Sequence, residues 1–150
     1  MSAETQDLIK LYSERILALA ADIPHRERLT APGATATKRS PLCGSTVTVD
    51  LELQDGRIAA FGQDVKACAL GQASAAVLGG QVIGRTQAEI ATARDELKAM
   101  LKSDGPVPAA PFEGYEVLIP AREYKNRHAS ILLALDATLA AIDAAHAPAA

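Results

Sequence analysis

Three side chains stand out as candidates to bind soft metals or carry sulfur: the thiols of Cys43 and Cys68 and the imidazole of His128. Thiolate and imidazole suit iron–sulfur chemistry and zinc. Cys68 falls where an expected strand stops and an expected helix of small residues begins, with Gly71, Ala73, Ser74, Ala75 and Ala76 following. A thiol at a helix start faces unpaired backbone N–H groups and the positive end of the macrodipole, a setting suited to binding metal or attacking sulfur. Cys43 precedes another expected strand, and His128 opens the apolar face of the last expected helix.

A hairpin must bring the two thiols together. Thr46 to Gln54 alternates Val47, Val49, Leu51 and Leu53 with polar residues, as a half-buried strand does. Asp55-Gly56 is a strong turn signal, and Arg57 to Val65 reads as the returning strand, with Ile58, Ala60 and Phe61 facing in. Cys43 lies just before this hairpin and Cys68 just after it. The two thiols, 25 residues apart in sequence, are therefore expected at one open end.

The other elements follow from periodicity and punctuation. Leu8, Leu11, Tyr12, Ile16 and Leu19 predict a helix over Thr5 to Ala21, capped by Ser2 or Thr5. Asp22 to Pro41 reads as a loop with one edge strand near Ala34 to Ser40. A second helix is expected over Leu70 to Ile83, broken at Gly79-Gly80 or ended at Gly84. A third runs from Thr86 to Lys102 behind a T-x-x-E capping box with Glu89. Ser103 to Gly114 is a Pro- and Gly-rich loop. Arg122 to Ala145 predicts the closing helix, with Ile131, Leu132, Leu135, Leu139 and Ile142 inward alongside His128. The fold class is α+β: about three antiparallel strands packed by four or five helices, in a single domain over residues 1–150.

Composition narrows the function. The 150 residues are 49% hydrophobic, much of it alanine, with only 3% aromatic, which suits closely packed helices. A net charge of −3 gives no bulk attraction to nucleic acid. The first twenty residues have interspersed charge and do not read as a signal peptide. No apolar run approaches the roughly 20 residues needed to span a bilayer. The expectation is a cytoplasmic protein with no membrane or nucleic-acid partner, and there two cysteines do not read as a structural staple. Gly79-Gly80 lacks the pattern of a phosphate loop. His25 and His146 read as surface residues, and Ser45 as a turn residue. The basic residues Lys38, Arg39, Arg122, Lys125 and Arg127 read as a solvated face, with docking of an acidic partner as the alternative.

The segments around the three candidate residues resemble the IscU/NifU-type iron–sulfur cluster scaffold proteins, above all their SufU-like branch. Cys43-Gly44-Ser45 stands where that family has a C-G-D turn, and Cys68 in ACALGQASAA where it has a second cysteine at a helix of small residues. His128-Ala129, in PAREYKNRHASILL, stands where IscU has His-Cys and SufU-like proteins have Lys-Cys. The Pro120-Ala121-Arg122 run is closer to the SufU-like sequence, and the L-P-P-V-K motif of IscU is missing. The resemblance spans about Leu8 to Ile142. Two of its ligand positions differ: Ser45 replaces the aspartate and Ala129 the third cysteine.

The resemblance implies a chain that receives sulfur from a cysteine desulfurase, binds iron or a 2Fe–2S cluster transiently, and passes it to apo iron–sulfur acceptor proteins. Cys68 and Cys43 are then the sulfur acceptors, and Cys43, Cys68 and His128 the ligand set. One chain lacks a fourth ligand, which a homodimer or an exogenous thiol would supply. A zinc-dependent sulfurtransferase of the SufU kind is the alternative, with the same three residues on zinc. A degenerate paralogue that keeps the fold and binds a partner without metal is the third reading.

Overall fold

A computed structural model describes residues 13–41 and 44–146. In chain order these form α1 (Glu14–Ala21), β1 (Ala34–Arg39), β2 (Thr46–Gln54), β3 (Arg57–Lys66), α2 (Ala69–Gln81), α3 (Gln87–Lys102) and α4 (His128–His146), with 3₁₀ turns over Glu113–Glu123 and Lys125–Arg127 before α4. The three strands form one antiparallel sheet in the order β1-β2-β3. The class is α+β, as expected.

The hairpin turns at Asp55 and Gly56, both with positive φ (53° and 76°), the conformation that suits a right-twisted pair of strands. Its register slips at Glu52/Leu53: Leu53 pairs with Ile58 and Glu52 with Ala60, so Ala59 is the extra residue of a bulge. The slip corrects the expected facing. Ile58 and Phe61 share the buried face despite odd spacing, while Ala60 falls on the other face beside Glu52. Val47, Val49 and Leu51 complete the buried face from β2.

α4 lies across β1 and β2 and also packs on α2 and α3. Contact on so many sides explains why residues well beyond a single stripe are buried along it, including Leu133, Ala134, Ala137, Thr138 and Ala141. The segment Lys125–His146 has a mean hydropathy of 1.4 over its most apolar window, enough by length and composition for a membrane span, although Asp136 interrupts its apolar run. Most of that window, 61%, is buried inside the protein, so core packing accounts for its composition.

Several expected boundaries move. Ser13, in extended conformation, accepts from the Ile16 N–H and caps α1 at Glu14; the expected stretch from Thr5 to Tyr12 and the caps expected at Ser2 and Thr5 lie outside the described residues. α2 runs through Gly79-Gly80 and stops at Gln81. The Thr86/Glu89 capping box on α3 is formed in both directions. α4 starts at His128, not Arg122, because the preceding residues, with Pro120, form 3₁₀ turns. Arg122 is not on a solvated face: its guanidinium donates to Met100 O (2.7 Å) and Gly105 O (2.8 Å), closing the C-terminal end of α3.

A buried carboxylate ties the 25–29 loop to the outer face of the sheet. Asp50 is fully buried and accepts from Arg28, the Leu29 N–H and the Thr35 hydroxyl. Burial pushes its carboxyl up, but those hydrogen bonds and the Arg28 charge outweigh it and hold the pKa below the ordinary carboxylate value.

Candidate functional site

The last rung of the hairpin pairs Thr46 with Lys66, so Ser45 and Ala67 leave the sheet side by side. The turn before β2 is closed by two backbone bonds, Ser40 N–H to Ser45 O (2.8 Å) and Gly44 N–H to Ser40 O (2.9 Å). Gly44 takes φ 71° there, where a side chain would be strained. Cys43 belongs to this turn by sequence and lies outside the described residues.

Cys68 is the N-cap residue of α2, in extended conformation and partly exposed. Its Sγ is 3.6 Å from Ser130 Oγ, and Ser130 Oγ is 3.0 Å from Ser45 Oγ. Both serines are buried. Ser45 is therefore more than a turn residue: its hydroxyl points inward and joins the turn to α4. The small residues of α2 have a local reason as well. A Cβ on Gly71 would stand 2.6 Å from Ser130 Oγ, and the Ser74 hydroxyl donates to the Ile131 carbonyl. Only a helix with so little side chain can bring Cys68 this close to α4.

His128 is buried at the start of α4, and its ring engages a different set of groups. Nε2 is 2.9 Å from the Ala121 carbonyl, which can only accept, so Nε2 carries the proton. Nδ1 keeps the lone pair and faces Lys102 Nζ at 3.5 Å. Burial, aided by the charges of Lys102 and Lys125, lowers the imidazole pKa and keeps the ring neutral. Ser130 is two residues further along a helix that turns about 100° per residue. When Ser130 faces Cys68, His128 is turned roughly 200° away, toward α3 and the 3₁₀ segment. Among the described residues no three His, Cys, Asp or Glu side chains stand together as a metal site.

Ala129 faces a cleft of about 570 Å³ bounded by the end of β1, the Ser40-Pro41 turn, α3 and α4. Ser130 and Lys102 were not singled out from the sequence. A lone hydroxyl inside the apolar run HASILLAL was the available signal for Ser130; nothing local marked Lys102.

Comparison with known proteins gives this architecture its place. No protein-family profile and no curated protein matches the chain. Among solved structures, the N-terminal part of a nitrogen-fixing NifU-like protein from Brucella abortus is 44% identical, with a TM-score of 0.91, covering 95% of this chain and 99% of that one. A protein described as an iron–sulfur cluster assembly scaffold for the SUF system, from the thermophilic Fervidobacterium islandicum AW-1, shares the fold at 20% identity and TM-score 0.78, over 89% of this chain and 98% of that one. The class is thus the α+β fold of NifU-like N-terminal domains. The chain belongs to the NifU-like family.

Proposed function

We propose that this protein is a scaffold for iron–sulfur cluster assembly, which takes sulfur from a cysteine desulfurase, holds iron or a 2Fe–2S cluster as cargo, and passes it to apo iron–sulfur proteins. The observation that carries the reading is the position of Cys68. It is partly exposed at the corner where the open end of the hairpin, the start of α2 and the first turn of α4 meet. The 44% identity to a NifU-like protein supports the same reading.

In the sulfur step, the Cys68 thiolate attacks the outer sulfur of the partner's persulfide. The sulfur–sulfur bond of the donor breaks, the donor cysteine leaves as thiolate, and Cys68 becomes the persulfide. Cys43, two residues before Ser45 in the sequence, is the second acceptor. His128 joins as a ligand only if its Nδ1 lone pair exchanges Lys102 for metal. With Ser45 and Ala129 at two ligand positions, a second copy or an exogenous thiol completes the coordination. A reducing compartment, such as the cytoplasm expected from the sequence, keeps both thiols available.

Anaerobic purification followed by iron, sulfide, zinc and visible-absorption measurements tests the reading. Brown protein with iron and acid-labile sulfide is expected, and Cys68→Ser should lose both while keeping its circular dichroism. Colourless protein with one zinc per chain would overturn the scaffold in favour of the zinc-dependent sulfurtransferase. No metal, even after reconstitution, would leave the metal-free interaction module.

A further inference from the structure

The cleft beside Ala129 has a charge opposite to that of the whole protein. The chain carries a net −3, yet five basic residues line this one cleft: Lys38, Arg39, Arg94, Lys98 and Lys102. Its two carboxylates are already engaged. Asp136 accepts from Arg94 at 2.9 Å, and Asp143 accepts from Gln87 at 2.9 Å. Lys38, Arg39 and Lys98 are exposed, with no carboxylate paired to them among the described residues.

The fold puts these charges at the site end. Lys38 pairs with Val47, so it lies on the helix-covered face of β1 at the strand's last rungs, next to the Ser40-Pro41 turn. Lys102 reaches His128 from α3, and Lys98 is one turn back on the same helix. The floor is apolar, formed by Leu132, Leu133 and Leu139 of α4. Lining residues on α4 run from Ala129 to Asp143, a trough of about 21 Å at the helical rise. That length seats about six residues of extended chain.

We propose that this trough docks an acidic segment of the protein partner that exchanges sulfur or cluster with the site. Carboxylates of the segment meet Lys38, Lys98 and Lys102, and an apolar side chain settles on the leucine floor. Charge complementarity selects the partner and steers it toward Cys68. The identity of the partner rests on the scaffold reading; the peptide chemistry of the trough does not.

Selection of a random octapeptide display library against the apo protein tests this without iron or sulfide. Peptides enriched on the wild type should carry two or more Asp or Glu and at least one large apolar residue. One such peptide, synthesised and titrated, should bind roughly tenfold more weakly to Lys38→Glu/Lys98→Glu and less than about twofold more weakly to Arg26→Glu/Lys125→Glu, which changes the same charge outside the trough. Its affinity should fall by about threefold or more between about 50 and about 200 mM salt. Enriched peptides without acidic residues, or equal loss in both double variants, would overturn the proposal. So would a single-stranded oligonucleotide, or phosphate alone, binding the trough better than the peptide. If the selection fails while the protein still loads iron and sulfide, the trough is wrong and the scaffold stands; if the selection succeeds on a protein that loads no metal, the trough stands alone.

Discussion

Ser130 joins the two ends of the β2–β3 hairpin: its Oγ lies 3.0 Å from Ser45 Oγ and 3.6 Å from Cys68 Sγ, across sequence separations of 85 and 62 residues. The first turn of α4 therefore holds the corner in which the thiol sits. Gly71 makes room for it, and the same turn of helix sends His128 toward α3.

This contact predicts a coupled pair of variants. Ser130→Ala removes the buried hydroxyl from both its Ser45 and its Cys68 contacts and should cost about 1–2 kcal/mol. Gly71→Ala places a methyl 2.6 Å from Ser130 Oγ and 2.8 Å from Ala67 Cβ, and should cost about 1–3 kcal/mol. In the double variant one of the two clashes is gone, so urea unfolding should show a penalty at least about 0.5 kcal/mol smaller than the sum. Strict additivity would mean that Ser130 does not press on α2.

Gly62 and Gly80 should respond in opposite ways to alanine. A Cβ at Gly62 would collide with the Glu27 backbone oxygen, where neither side can yield without moving the loop. Gly62→Ala should lose about 3 kcal/mol or more. A Cβ at Gly80, inside α2, meets nothing within 4 Å, and Gly80→Ala should gain about 0.5–1 kcal/mol. Thermal and urea midpoints moving in the same direction for both would refute the assignment.

Asp50 gives an acid-side signature. Its folded pKa lies below the unfolded value of about 3.9, so its contribution is complete above that value and is lost as pH falls through the folded pKa. Asp50→Asn should be clearly less stable than wild type at pH 7, and the gap should narrow on going from pH 5 to pH 2. A constant gap over that range would show that the carboxylate charge is not what Arg28 holds.

His128 gives a second signature near neutrality. Its folded pKa is depressed below the ordinary value of about 6.5, so between the two values the unfolded chain binds more protons than the folded one. Stability should thus be full above about pH 7 and fall as pH drops through 6.5 toward the folded pKa. His128→Gln should flatten that slope, and its loss of the Ala121 bond should lower stability by about 1–2 kcal/mol at pH 7.5. An unchanged slope in the variant would assign the titration to another group.

Local sequence determined much of this protein. Alternation in Val47, Val49 and Leu51, the Asp55-Gly56 turn and the Thr86/Glu89 box each encode their element within a few residues, because period, positive φ and capping are local physics. The same information put the residues flanking the hairpin at one open end, as Ser45 and Cys68 show; Cys43 lies outside the described residues. The NifU-like family was legible too, from short segments around Cys43, Cys68 and His128. Tertiary structure alone decided the rest. The Glu52/Leu53 slip chose which of Ile58, Ala60 and Phe61 faces in, because register depends on the partner strand. Which way His128 turns, which hydroxyl meets Cys68 and which cations gather beside Ala129 depend on how α4 is rotated against the sheet, α2 and α3. That rotation is set by packing among residues distant in the chain, and no local pattern encodes it.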